Sequence, residues 1–274
     1  MSDFIQSLDA RWSAYLGCQP EQLRDGRRHV IARPEWRSEE RLPWPLTRGS
    51  VCLFTTGTGW VLSVPHEQVA RAGRLCGDHS FEELIAEGDR ISQDWFDRLG
   101  AEDECERPGP DAYRIMSELV GPEPLRGWSH YVFSYADPSS WTQEVAGEVA
   151  RIAEDDPDIW AQWQAWPGAF CSPKFTANLE VTDAFGYVRD GRLVSVGQIQ
   201  AHHAEYAWEF GVDTLPEFRG RGYATAVLRS VTAHIIGRGH VPYHYADAYN
   251  RASLRLPAKL GYHRYAEGFF AHSQ

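Results

Sequence analysis

Arg219-Gly220-Arg221-Gly222-Tyr223-Ala224 lies between a run that reads as a strand, Tyr206 to Thr214, and a run of helical periodicity from Tyr223 to Ile236 that stops at Gly237. Glycine lets a backbone approach a ligand closely, and the helix that follows presents unpaired N–H groups with partial positive charge. Arg219 and Arg221 add fixed positive charge where phosphate oxygens would lie. The string reads as a pyrophosphate cradle or as a surface turn capping an α/β crossover, and the glycines alone do not separate the two. Spacing excludes other nucleotide loops. No G-x-x-x-x-G-K-[ST] string occurs, and Gly220 and Gly222 are followed by Thr225 where a dinucleotide fingerprint needs glycine or alanine.

Arg219, Gly222 and Ala224 occupy the three fixed positions of [R/Q]-x-x-G-x-[G/A], and Asn250 to Tyr262 (N-R-A-S-L-R-L-P-A-K-L-G-Y) follows at a suitable distance. Together they resemble motifs A and B of the GNAT superfamily of N-acetyltransferases. The run V-D-T-L-P-E-F-R-G-R-G-Y-A is similar to the zwittermicin-resistance-type subgroup. The resemblance covers about the last 145 residues, counted from Gly127 to the end. It implies an α/β (α+β) fold, a mixed and mostly antiparallel twisted sheet flanked by helices.

Element by element, Trp128–Tyr135 reads as a strand, and Ser139–Ala153 and Ile159–Trp166 as two helices. Phe185–Arg189, Leu193–Gln200 and Tyr206–Thr214 read as three strands, with a turn at Arg189-Asp190-Gly191. Val241–Ala248 is a strand, Arg251–Leu260 a helix ending at Gly261, and His263–Phe270 a closing strand. Residues 1–125 form an additional N-terminal α/β region, which a degenerate GNAT-like half would also fit, and residues 126–274 form the acetyltransferase-like domain. In the first region, Phe4–Leu16 is an amphipathic helix, His29–Ala32 a short strand, and Ser50–Thr55 with Gly59–Val64 a hairpin about T-G-T-G. Helices follow at Val69–Leu75, Phe81–Glu87 and Asp94–Leu99; 100–110 is a loop, and Gly121-Pro-Glu-Pro124 is the boundary.

The resemblance implies acetyl-CoA as co-substrate and direct acetyl transfer to an amine, with no metal. It assigns cofactor contacts to Val212, Thr214, Arg219, Gly220, Arg221, Gly222, Tyr223, Ala224, Asn250 and Ser253. Direct transfer needs a general base near the amine and an oxyanion donor, usually a strand N–H. In a strand Glu209, Gly211 and Asp213 share one face, and Trp208, Phe210 and Val212 the other. A carboxylate pair flanking a glycine points to a polar cavity, so Glu209 is the first choice of base, with Asp213 beside it. The alternative is that one or both pair with Arg219, Arg221 or a helix arginine. His202, His203 and His244 are rivals as base, each also explained as an ordinary strand histidine. The family's thiolate-protonating tyrosine falls on Pro257, which cannot donate a proton. Tyr223, Tyr249 and Tyr262 are the tyrosines nearest these motifs. Asn250 is equally explained as a helix N-cap.

Trp160, Trp163 and Trp166 make a stripe that walls an acceptor pocket or fills a core. The expected acceptor is a primary amine of a small molecule; a peptide or protein amine, and a noncatalytic acyl-CoA-binding role, are the alternatives. The chain has 274 residues, is 43% hydrophobic and 24% charged, and carries a formal charge of −11. That charge disfavours nucleic acid as a partner. No apolar run approaches the ~20 residues of a membrane span, and the N-terminus lacks a signal-peptide core. Five cysteines without a C-x-x-C pair fit a reduced cytoplasm rather than a disulfide or zinc framework. A homodimer is allowed.

Overall fold

The computed structural model describes residues 3–35, 51–57, 59–85, 127–143, 147–167, 171, 183–200 and 207–272. The expected helix at Asp94–Leu99, the loop at 100–110 and the boundary at Gly121–Pro124 lie outside these residues, as do His202 and His203. Two compact units emerge. The first holds Met1–Val132, Ala246–Arg251 and Tyr265–Gln274; the second holds Phe133–Tyr245 and Ala252–Arg264. The architecture is mixed α/β, with mostly antiparallel strand pairs and flanking helices.

In the first unit, α1 (Asp3–Leu16) buries Ile5, Leu8, Trp12 and Leu16, the spacing of one helical face. Trp12 stacks on Phe54 at 4.5 Å. On the same helix Asp9 is buried and accepts from Arg24 Nε at 2.5 Å, Arg24 Nη2 at 2.8 Å and Tyr265 Oη at 3.0 Å. The strands β1 (Arg28–Ala32), β2 (Val51–Thr55) and β3 (Trp60–Val64) follow. β2 and β3 form the expected antiparallel hairpin, every residue of both is buried, and β1 runs parallel to β3. Helix α2 (Val69–Cys76) covers this sheet with Ala72 and Cys76. A further helical turn at 81–85 opens on a reciprocal cap: Glu83 N–H donates to Ser80 Oγ, and Ser80 N–H to Glu83 Oε2.

The second unit contains the sequence's principal signals. β4 (Gly127–Tyr135) enters it at Phe133. Where a helix over Ser139–Ala153 was expected, residues 137–140 turn and β5 (Val149–Ile152) is an edge strand. Its pairing with β6 (Ala184–Arg189), Ile152 opposite Ala184, supplies hydrogen bonds that no local pattern announces. β7 (Arg192–Gln200) and β8 (Ala207–Thr214) continue the antiparallel order. Helix α3 (Pro157–Gln164), begun by Asp156 accepting from Ile159 N–H, lies between β5 and β6 in the chain. Then come α4 (Tyr223–Gly237), β9 (Val241–Asp247), α5 (Arg251–Lys259) and β10 (His263–His272). From Tyr265 onward β10 belongs to the first unit, and there it pairs antiparallel with β2. Pro257 sits inside α5, which runs on through it.

The two faces of the β6–β8 sheet differ. Ile199, Trp208, Phe210 and Val212 meet Val227, Leu228, Val231 and Ile235 of α4. Gly197 permits that approach: a Cβ there would stand 2.6 Å from a Val227 methyl and 2.9 Å from one of Val231. On the opposite face Ile152, Ala184, Leu193 and Val196 pack with Trp163 and Trp166.

Candidate functional site

β8 runs antiparallel to β7 from Gln200↔Glu209 to Ser195↔Thr214. On its other edge it pairs in parallel with β9 at Ala207↔Val241, Trp208↔Pro242 and Glu209↔Tyr243, and there the pairing stops. Both strands continue, so Phe210 to Thr214 have backbone groups on that edge without a strand partner among the described residues. Such an edge can take an extended ligand chain.

After a short 3-10 turn at Pro216–Phe218 the chain enters the glycine-rich loop. Gly220 and Gly222 have φ of 75° and 87°, a region that costs any residue with a Cβ. A Cβ on either would meet nothing within 4 Å, so the space in front of the loop is open. Gly222 is the N-cap of α4 and no side chain caps it; Ala226 N–H is the first to return to the helix, bonding Gly222 O at 3.0 Å. The N–H groups of Tyr223, Ala224 and Thr225 therefore face the loop's open side as an anion-binding end. Arg219 donates from Nε to Thr214 O at 3.1 Å, and its guanidinium is two-thirds exposed. Arg221 lies over the Phe218 ring at 5.6 Å. The residues fit a diphosphate: one turn carries open space, uncapped backbone donors and two arginines.

The other expected contacts are spread more widely. Val212 points its side chain toward the α4 core, leaving its backbone on the unpaired edge. The Tyr223 ring is buried against Tyr187, and its hydroxyl accepts from Arg189 Nη1. Ser253 Oγ is 3.3 Å from His244 Nε2. Asn250 falls in the first unit, with its N–H on Asp247 O at 2.9 Å.

The two carboxylates of β8 have separate surroundings. Asp213, partly exposed, accepts from Thr214 N–H at 2.8 Å and from Trp166 Nε1 at 3.1 Å, and its Oδ1 is 3.9 Å from Arg219 Nη2. It has the arginine partner that the alternative reading allowed. Glu209 is 3% exposed and stands level with Gln200 and Tyr243, on the face away from α4. His244 faces the α4 side, where its ring stacks on Phe210 at 5.4 Å. Burial holds its pKa down at about 4, so it is neutral near pH 7.

The tryptophan stripe is core. Helix α3 ends at Gln164, so Trp166 lies beyond it; Trp163 and Trp166 are buried, and Trp163 Nε1 donates to Cys171 O at 2.9 Å. The Tyr262 hydroxyl is 2.7 Å from Thr232 Oγ1 and burial pushes its phenol up, while the Tyr249 hydroxyl is 3.3 Å from His130 Nδ1 in the first unit. Sequence reasoning missed Gln200 and Tyr243 as neighbours of Glu209, since only strand register brings them level.

Residues 202–271 match the family model described as FR47-like protein. This stretch belongs to the GNAT superfamily. Solved GNAT structures also align with the chain. One, from Novosphingobium aromaticivorans and assigned to the GNAT acetyltransferases, is 25% identical with a TM-score of 0.45, over 56% of this chain and 69% of that one. A GNAT-family acetyltransferase from Colwellia psychrerythraea is 17% identical, TM-score 0.42, over 56% and 60%. A GCN5-related N-acetyltransferase-like protein from Streptococcus suis is 18% identical, TM-score 0.40, over 58% and 67%. No curated protein matches the chain. The GNAT superfamily uses acetyl-CoA generally, and the open loop at Arg219–Ala224 is the part of this chain that fits its diphosphate. Among the described residues no helix is long and apolar enough to cross a membrane, and no group of three or more His, Cys, Asp and Glu is placed to hold a metal ion.

Proposed function

We propose that the protein is an acetyl-CoA-dependent N-acetyltransferase that moves an acetyl group to a primary amine of a small molecule. The observation that carries this reading is the parting of β8 and β9 after Glu209↔Tyr243, directly upstream of an open, uncapped glycine loop. Acetyl-CoA, when bound, supplies a thioester carbonyl and a thiolate leaving group. Arg219, Arg221 and the first N–H groups of α4 would hold the diphosphate, and backbone from Phe210 to Thr214 would hold the extended arm. A backbone N–H on that edge stabilises developing negative charge on a carbonyl oxygen. Glu209, buried in the last rung before the strands part, takes a proton from the substrate ammonium, leaving the neutral amine to attack the carbonyl. Asp213, beside Arg219, orients that arginine.

A second reading is favoured by Pro257 and by the engaged hydroxyls of Tyr223, Tyr249 and Tyr262: an acyl-CoA-binding protein without turnover. A thiol leaving group of pKa ~8.5 can depart near neutral pH without an acid, so the enzyme reading survives that loss. The likeness to zwittermicin-resistance-type enzymes rests on residues 212–224 and favours a small-molecule acceptor over a peptide. The test is a thermal-shift titration with acetyl-CoA and CoA beside thiol release against an amine panel. Stabilisation with thiol release is expected. Stabilisation with no release for any amine supports the binding protein, and no stabilisation overturns both.

A further inference from the structure

Arg229 stands in the second turn of α4, six residues after Tyr223, where the helix begins. The residue is half-buried, and its Nε is closed off from solvent without meeting a hydrogen-bond acceptor. Among the described residues no ion pair or ring contact engages its guanidinium. The arginines of the glycine loop and of the β6–β7 turn are placed differently. Arg192 pairs with Glu217 at 2.7 Å, Arg219 lies 3.9 Å from Asp213, and Arg189 donates to the Tyr223 hydroxyl. An exposed arginine without a protein partner is ordinary, because water satisfies it. A half-buried guanidinium without an anion is not.

Helix geometry decides where that cation lies. A rise of 1.5 Å per residue puts the Arg229 Cα about 9 Å along the axis from Tyr223, and helical side chains lean back over the turn before them. The guanidinium therefore comes within about one turn of the uncapped N–H groups of Tyr223, Ala224 and Thr225. Its neighbours along the helix are Thr225, four residues before it, and Thr232, three after. Thr232 Oγ1 is 2.7 Å from Tyr262 Oη, so this flank is turned to the chain leaving α5, while Val227, Leu228, Val231 and Ile235 take the sheet. In CoA one ribose separates the diphosphate from a 3′-phosphomonoester that carries nearly two negative charges near pH 7. Resting on the reading of the glycine loop as the diphosphate cradle, we propose that Arg229 binds this 3′-phosphate, so that the protein takes CoA and its thioesters in preference to their 3′-dephospho forms. A guanidinium meets a phosphate through two parallel N–H···O bonds. The backbone donors of the loop cannot make that distinction, since both forms present the same diphosphate.

The test is calorimetric titration of the full-length protein with CoA and with 3′-dephospho-CoA. Wild type should bind CoA about 10- to 100-fold more tightly, the range for a hydrogen-bonded charged pair. Arg229→Met keeps an unbranched apolar stem; it should bring CoA down to the level of 3′-dephospho-CoA and leave the latter unchanged. Arg229→Lys should recover part of the difference. Arg221→Met, at the diphosphate, should weaken both ligands alike. By phosphorus NMR, the 3′-phosphate resonance should shift on binding to wild type and keep its free position in Arg229→Met, with the diphosphate resonances shifted in both. A merely structural arginine would change the thermal midpoint of Arg229→Met without changing the affinity ratio. Equal affinities in wild type, or an unchanged ratio in folded Arg229→Met, overturn the proposal. If wild type binds neither ligand, the cradle reading itself falls and takes this assignment with it.

Discussion

Glu209 and Asp213 are four residues apart on one strand and on one face of its sheet. At the Glu209 end β8 has partners on both edges, the side chain is buried, and its register neighbours Gln200 and Tyr243 carry no charge. At the Asp213 end β9 has parted, the carboxylate is partly exposed, and an arginine, an indole N–H and a backbone N–H converge on it. One residue type pattern therefore produces two different chemical groups. Glu209 is shut away from solvent beside uncharged register neighbours, whereas Asp213 meets solvent within 3.9 Å of a guanidinium nitrogen. The first unit shows a third arrangement. Glu267 is buried with its Oε1 2.6 Å from Nε2 of the buried His130, a carboxyl–imidazole pair.

The widest expected gap between the two ends of β8 is catalytic. Glu209→Gln should lower turnover by about 10²–10⁴, the usual worth of a general base, with acetyl-CoA affinity little changed by calorimetry. Equal turnover losses in Glu209→Gln and Asp213→Asn would abolish the distinction drawn here. The arrangement in the first unit should matter for stability instead: Glu267→Ala leaves His130 buried without its carboxylate and should cost about 3 kcal/mol in urea unfolding.

His244, one residue past the last β8–β9 rung, tests whether the opposite face is dry. Its folded pKa of about 4 lies below the ordinary 6.5, so the unfolded chain binds the extra proton between those values. Stability is then full above about pH 6.5 and falls as pH drops toward 4, by about 3 kcal/mol from this residue. His244→Phe should flatten that part of the stability–pH curve relative to wild type, and an unchanged slope would mean that water reaches the ring.

Gly222→Ala should cost roughly 1–2 kcal/mol, because φ of 87° strains a residue with a Cβ, and should also weaken acetyl-CoA binding in the thermal-shift titration. The smallest effect is reserved for Asp213→Asn. A long, partly exposed pair is worth at most about 1 kcal/mol, so turnover should stay within about fivefold of wild type.

Much of the second unit was legible before any coordinates. The strands at 185–189, 193–200 and 206–214 and the helix at 223–236 lie within about two residues of β6, β7, β8 and α4. Their signals are local: alternation of apolar residues, an Asp-Gly turn, and glycines at both ends of the helix. The edge strand Val149–Ile152 was not legible, since four residues carry too little pattern and its hydrogen bonds come from β6, more than thirty residues on. The tryptophans misled in one respect. Their spacing suggested one continuous helical stripe, but the helix ends at Gln164 and the indole N–H groups of Trp163 and Trp166 are taken by Cys171 O and Asp213.

The order of residues in the chain was enough to establish the glycine loop between a strand and a helix, the arginines on it, the shared face of Glu209 and Asp213, and the missing tyrosine at Pro257. These depend on neighbours within a turn or a strand, where backbone geometry alone dictates placement. Which carboxylate is buried, which one meets Arg219, and which residues flank Glu209 were settled only by the pairing of β7, β8 and β9. Register is a property of whole strands packed against one core, and a shift of one residue would turn every one of these side chains to the other face.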